Sequence, residues 1–227
     1  MKVRAAVLTY KPAENDRLDS LAATVASLQE VDELWVVDNG SGPDEVAAIT
    51  DRLGFAPFTH HGPNHNCAHG TNWQARILAG ASKPGDLCVL SDDDMEWRPG
   101  WRSVLEDWWR RCPGDVILTG CHLEPVYPWN EVQGRDDFPA LYRRSTGAAS
   151  WSYRRRSHET IFPIPERHQG TGDVPACHRL IDAGFKIAQL DLADHVGAVS
   201  TWGNRTGEMF PGASVDPVRA LLAGDVA

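Results

Sequence analysis

Short apolar runs alternate with amphipathic stretches over the first 120 residues. Val3–Leu8 reads as a strand, and Leu18, Leu21, Val25 and Leu28 then recur at the spacing of one helical face. Leu34–Val37 is a continuous apolar strand closed by the turn residues Asn39-Gly40-Ser41-Gly42-Pro43. Val46, Ile49 and Leu53 mark a second helix, 55–58 a third strand, 71–81 a third helix and 87–90 a fourth strand. Continuous apolar strands alternating with helices predict an α/β fold, a mostly parallel sheet flanked by helices on both faces. Such sheets bind ligands at the carboxyl ends of their strands. Those ends carry Thr9, Asp38 and the run Asp92-Asp93-Asp94.

The pattern weakens after residue 120. Residues 122–170 are rich in Pro, Trp, Tyr and Arg, and read as an irregular insert. Within it, 142–156 carries Arg143, Arg144, Arg154, Arg155 and Arg156 and no acidic residue. Regularity returns at 172–184, where Val174, Cys177, Leu180 and Ile181 share a helical face, and at 187–190, a strand followed by Asp194-His195-Val196-Gly197. A short helix is expected at 217–222. With no repeat and no long linker, the chain reads as one domain over 1–211 with a tail at 212–227.

Composition adds exclusions. The 227 residues are 42% apolar and 23% charged, ordinary for a globular chain, so wholesale disorder or a disulfide scaffold is excluded. No apolar run approaches the roughly 18 residues of a membrane span, and no stable membrane insertion is expected. A net charge of -9 disfavours broad adhesion to nucleic acid or anionic lipid. The five cysteines are scattered without C-x-x-C and read as reduced thiols of a cytoplasmic protein.

Several residues have the chemistry of a site. Asp92-x-Asp94 follows a buried strand, and two carboxylates of one turn can share Mg²⁺ or Mn²⁺ with diphosphate oxygens. A solvated acidic turn is the alternative. Asp38 at the second strand end suits a base or ribose hydrogen bond, though Asp-Asn-Gly is equally good turn chemistry. His195 beside the aspartates would complete an Asp/Asp/His set that suits Mn²⁺. Asp173 opens a helix, either as its N-cap or as a general base. His60-His61-x3-His65-x-Cys67-x-His69 is a competing zinc candidate, weakened by the absence of a matching second half.

Over roughly residues 3–200 the chain resembles family 2 glycosyltransferases of the GT-A (Rossmann-like) fold. The resemblance is carried by Val36-Val37-Asp38-Asn39-Gly40-Ser41, by Asn66 through Gly70-Thr71-Asn72, by Val89-Leu90-Ser91-Asp92-Asp93-Asp94, by Gly147 through Arg155, and by Gly172-Asp173-Val174-Pro175 with the helix that follows. It departs from the family's pattern at Thr9-Tyr10-Lys11-Pro12, which has no Asn after Tyr, at Cys67-Ala68, where Gly is common, and at Gly172, where a second acid is frequent.

The resemblance implies metal-dependent, inverting transfer of a sugar from a nucleoside diphosphate donor to an acceptor hydroxyl, with UDP the first expectation. A nucleotide-binding part at 1–121 would precede an acceptor and catalytic part at 122–211, with no further domain after it. Asp173 would be the base. Asp92, Asp94 and His195 would hold Mn²⁺ or Mg²⁺. Thr9, Tyr10, Asp38, Asn39, Asn66, Asn72, Asp92, Asp93 and Arg205 would contact the donor, with one of Arg154 to Arg156 a further source of charge for its diphosphate. Trp129, Trp151 and Trp202 would offer stacking surfaces to a glycan or small-molecule acceptor. DNA enters only as an acceptor with hydroxylated bases. A non-catalytic nucleotide- or metal-binding module and a nucleotidyltransferase are the competing readings, the latter without its Gly- and Arg-containing phosphate loop.

Overall fold

The computed structural model describes residues 1–60, 67–125, 131–135, 140–166, 172–195 and 215–223. Its first half runs β1 (Val3–Thr9), α1 (Leu18–Ser27), β2 (Glu33–Asp38), α2 (Pro43–Leu53), β3 (Phe58–Thr59), α3 (Cys67–Ala81), β4 (Leu87–Asp92), β5 (Met95–Trp97), α4 (Trp101–Arg111) and β6 (Val116–His122). The second continues with β7 (Val132–Arg135), β8 (Leu141–Arg143), β9 (Trp151–Arg154), α5 (His158–Ile161), α6 (Asp173–Asp182), β10 (Lys186–His195) and α7 (Asp216–Ala223).

These strands form one sheet in the order β3-β2-β1-β4-β9-β6-β10-β8-β7, with β5 paired to β10. The first four are mutually parallel, and β6 is parallel to β10. β9 runs antiparallel between β4 and β6, so those two point the same way; β5 and β8 also oppose β10. The sheet is therefore mostly parallel, as its continuous apolar strands predict. It draws strands from both halves of the chain.

Alternation along β1 explains the two cores. Val3, Ala5 and Val7 face a cluster containing Leu21, Ile49, Trp101, Leu105 and Trp108, from α1, α2 and α4. Ala6 and Leu8 face Ala68, Ala75, Leu78, Ile161, Ala176 and Leu180, from α3, α5 and α6. α4 was not assigned from periodicity, although Trp101, Leu105 and Trp108 fall at helical spacing and are nearly fully buried; each such side chain contributes about 1.5–3 kcal/mol on burial.

Other boundaries differ for physical reasons. The third strand comprises only Phe58–Thr59, and Phe55 is exposed. α3 begins at Cys67, four residues before its predicted start. β10 continues past residue 190 because its end pairs with β5, so Asp194 and His195 belong to the strand. In the C-terminal tail, α7 packs Val218 and Leu222 against Leu123 and Leu141.

Candidate functional site

Strand register assembles the carboxyl edge. Thr9 stands opposite Asp38, and Leu8 opposite Asp92, so three strand ends terminate at one level. The Asn39 amide donates to the Thr9 carbonyl at 2.9 Å, extending the edge by one residue. Asp38 is fully buried, and its carboxylate accepts from the Ser41 hydroxyl and backbone amide. In this structure it closes the Asx-type turn at that strand end.

Asp93 is the tethered member of the acidic run. Its Oδ2 accepts from the Thr9 hydroxyl at 2.5 Å and its Oδ1 from Arg17 at 2.8 Å. A second Arg17 nitrogen donates to the Tyr10 carbonyl at 3.0 Å, so one guanidinium ties the β1 loop to the acidic turn. Burial pushes the Asp93 carboxyl up to about 6 against the opposing pull of Arg17 and Thr9. Sequence reasoning missed Arg17, since nothing local links a cation before α1 to acids 76 residues away. Burial, together with Asp94 and Asp93, raises the Asp92 carboxyl well above the ordinary carboxylate range.

Asp94 is buried, and its Oδ1 has no hydrogen-bond partner among the described residues. His195 Nε2 lies 3.4 Å from that oxygen. Burial holds the imidazole below its usual pKa despite Asp94, which leaves a neutral ring able to ligate. Among the described residues no three His, Cys, Asp or Glu groups gather into an all-protein metal cage. An orphaned carboxylate oxygen facing an imidazole nitrogen, with Asp92 in the same turn, does fit a divalent cation completed by diphosphate oxygens.

Beyond His195 the site continues on β6. The His122 and His195 rings are 6.3 Å apart. His122 Nδ1 is 2.6 Å from the Ser150 hydroxyl and its Nε2 is 3.4 Å from Glu124 Oε1. His122 and Glu124 were also missed by sequence reasoning; they sit in an irregular segment and meet the site only through the β6–β10 pairing, where His122 lies opposite Ala193.

Asp173 is the first residue of α6; the N-cap position belongs to Gly172. Its Oδ1 accepts from the Val174 amide at 2.8 Å and its Oδ2 from the Ala148 amide at 3.2 Å. Gly172 has φ +72°, and a Cβ there would meet the Pro165 carbonyl oxygen at 2.5 Å and Ala68 Cβ at 3.0 Å. The acid that is frequent in the family at this position has no room here. Asp92 and Asp173 both act on the Cys67 thiol, which desolvation and these carboxylates push up to about 12.

Three expectations are corrected. Trp151 is fully buried, with its indole N–H on the Thr146 carbonyl at 3.1 Å, and cannot stack on an acceptor. Asn72 Nδ2 donates to the Ile164 carbonyl and Glu166, and its Oδ1 accepts from the Ile164 amide, so it anchors 164–166 rather than contacting a donor. Arg154 to Arg156 lie at the wrong edge: Arg154 is opposite Leu87 at the start of β4, and the amides of Arg155 and Arg156 bond the Asp86 and Pro84 carbonyls. Arg143 is buried, and its guanidinium donates to the Gln189 side-chain carbonyl at 2.5 Å. Asn66, Trp129, Trp202 and Arg205 lie outside the described residues, as do His61 and His65 of the zinc candidate. His69 of that segment pairs with Glu166 at 3.5 Å. Among the described residues no helix is long and apolar enough to cross a membrane.

Comparison with known proteins gives a consistent picture. The family model described as glycosyl transferase family 2 matches residues 12–153, more than half of the chain. No curated protein matches. Among solved structures, the crystal structure of S. aureus TarS 1-349 is similar with a TM-score of 0.55 at 12% identity, covering 86% of this chain and 60% of that one. The chain thus spans less than two thirds of that fragment's length. The structure of CMP:2-keto-3-deoxy-manno-octonic acid synthetase complexed with CTP is similar with a TM-score of 0.55 at 13% identity, covering 100% of both chains. At such identities the likeness is one of fold.

Proposed function

The chain belongs to glycosyl transferase family 2, and from that premise we propose that it transfers a sugar from a nucleoside diphosphate donor, UDP before other nucleotides, to an acceptor hydroxyl with inversion. The observation that carries this reading is the orphaned Asp94 oxygen facing His195 Nε2, on the edge that also bears Asp38 and, from α6, the Asp173 carboxylate.

A divalent cation, when bound, supplies positive charge against the departing diphosphate. Asp94, His195 and Asp92 are the residues that would hold it, and a neutral His195 keeps its nitrogen lone pair for that purpose. Arg17 and Thr9 hold Asp93, which leaves the two flanking carboxylates of the acidic turn for the cation. The Asp173 carboxylate takes the proton of the acceptor hydroxyl as its oxygen attacks the anomeric carbon. The new C–O bond forms on the face opposite the breaking bond, whose electron pair leaves on the diphosphate. The Val174 and Ala148 amides fix the base in one orientation while it waits. Thr9, Tyr10, Asp38 and Asn39 form the edge that receives the nucleoside. A glycan or small molecule is the acceptor class we favour over DNA, because the net charge is -9, Arg143 is buried and Arg154 to Arg156 lie away from the carboxyl edge.

Thermal unfolding with nucleoside diphosphates, each with and without Mn²⁺, tests the reading. UDP with Mn²⁺ at about 100 times its Kd should add ~2.7 kcal/mol of stability. Stabilisation by zinc alone, with no nucleotide response, would overturn it in favour of the 60–69 histidine segment.

A further inference from the structure

Two carboxylates converge on one turn. Glu124 Oε1 accepts from the Gly147 amide at 2.5 Å, and Asp173 Oδ2 accepts from the next amide, that of Ala148, at 3.2 Å. A Cβ on Gly147 would lie 2.6 Å from Glu124 Oε1 and 3.7 Å from Asp173 Oδ2, so both acids crowd the backbone of this turn. The same turn is docked on β6 a second time: a Cβ on Gly120 would lie 2.0 Å from the Thr146 hydroxyl oxygen.

Glu124 is itself held. Burial works against its charge, yet His122 and the Gly147 amide bring its pKa below the ordinary glutamate value. His122 is in turn fixed by the Ser150 hydroxyl at 2.6 Å. Ser150 closes the short 3₁₀ turn Ala148–Ser150 that carries the Asp173-binding amide.

From this geometry we infer that Glu124 is a positioning residue for the transfer step: it grips the Gly147–Ala148 turn, and through the Ala148 amide that turn sets the direction of the Asp173 carboxylate. The inference rests on the reading of Asp173 as the base. A base displaced by a fraction of an ångström loses its line to the acceptor hydroxyl, and losses of about 10- to 100-fold follow from such displacements. Neither Glu124 nor the turn belongs to the β1–β2–β4 edge proposed to receive the nucleoside.

The test uses the full chain with Mn²⁺ and UDP-glucose, UDP-galactose or UDP-N-acetylglucosamine, reading UDP release to water, with UDP affinity measured separately by calorimetry. Glu124→Ala should lower kcat about 10- to 100-fold while leaving KM and UDP affinity within about twofold. It should also speed hydrogen exchange at the Ala148 amide, two steps removed from the mutated side chain. Glu124→Gln keeps an oxygen acceptor for the Gly147 amide and should restore most of kcat. Combined with Asp173→Asn, Glu124→Ala should add no further loss. Equal loss of UDP affinity and kcat, or full additivity on the residual turnover of Asp173→Asn, would overturn the inference alone. Asp173→Asn at parental kcat would overturn the base reading, and this inference with it.

Discussion

His195 Nε2 stands 3.4 Å from Asp94 Oδ1, although 101 residues separate them in the chain, 195 less 94. The contact exists because His195, the last residue of β10, pairs antiparallel with Met95, the residue that follows Asp94. A divalent cation placed there would satisfy the otherwise unbonded carboxylate oxygen.

Asp94→Ala and His195→Ala should each abolish the extra stabilisation that Mn²⁺ confers on the UDP complex, while leaving the metal-free unfolding temperature within a few degrees. Differential scanning calorimetry with UDP, with and without Mn²⁺, measures both. Retention of the Mn²⁺ increment in both variants would remove this pair from the site.

Asp173→Asn preserves shape and one acceptor oxygen but cannot take a proton. Donor affinity should stay within about twofold while turnover falls by a factor of 10² or more, roughly the contribution of a general base. Titration calorimetry and UDP-release assays on the same preparation separate the two. A parallel fall in affinity would mean that the carboxylate serves only the fold.

Asn72→Ala should cost stability rather than donor affinity. It strips partners from the amide and carbonyl of Ile164, which is almost fully buried. Buried backbone groups left unsatisfied cost about 1–3 kcal/mol each. Denaturant unfolding should show that loss, with UDP binding by the folded fraction unchanged.

Gly172→Ala should be destabilising by several kcal/mol, since φ +72° strains any Cβ and the Pro165 carbonyl occupies its space. Introducing the frequent family acid as Gly172→Glu should be no better tolerated. Chemical denaturation midpoints test both, and a stable Gly172→Glu protein would show that the 165–172 junction repacks.

Far from the site, Asp86 predicts an acid-sensitive anchor. Burial opposes its charge, but the Lys2 and Lys83 amides and the Arg4 guanidinium prevail and bring its carboxyl down to about 2. A depressed folded-state pKa contributes stability above the unfolded value and loses it as pH falls from about 4 through about 2. The contribution at neutral pH is about 2 kcal/mol. Asp86→Asn should therefore be less stable than the parent at pH 7, and the gap should close across that acid window in a pH series of thermal melts.

The first half of the fold was legible because its strands are buried on both faces, which writes them as unbroken apolar runs such as Val3–Leu8 and Leu34–Val37. α4 carries the same quality of signal in Trp101, Leu105 and Trp108, which fall at helical spacing and are buried in the core. β9 was harder. Trp151–Arg154 has no strong pattern of its own and becomes a strand by filling the gap between β4 and β6. That insertion buries Trp151 and carries Arg154 to Arg156 away from the carboxyl edge.

The site divides the same way. Thr9, Asp38 and Asp92–Asp94 could be grouped from sequence alone, since each ends an apolar strand of one parallel sheet and register then does the rest. Arg17, His122 and Glu124 could not, because each reaches the site through contacts whose partners lie far along the chain or in a segment without periodicity. Local pattern determines which residues end strands, through the energetics of burying alternating side chains. Only the tertiary structure decides which side chains, once there, remain open to a ligand: Asp94 keeps an unbonded oxygen, while Asn72 spends its amide on Ile164. That outcome depends on which distant backbone groups need a hydrogen-bond partner, a demand that appears only when the chain has folded.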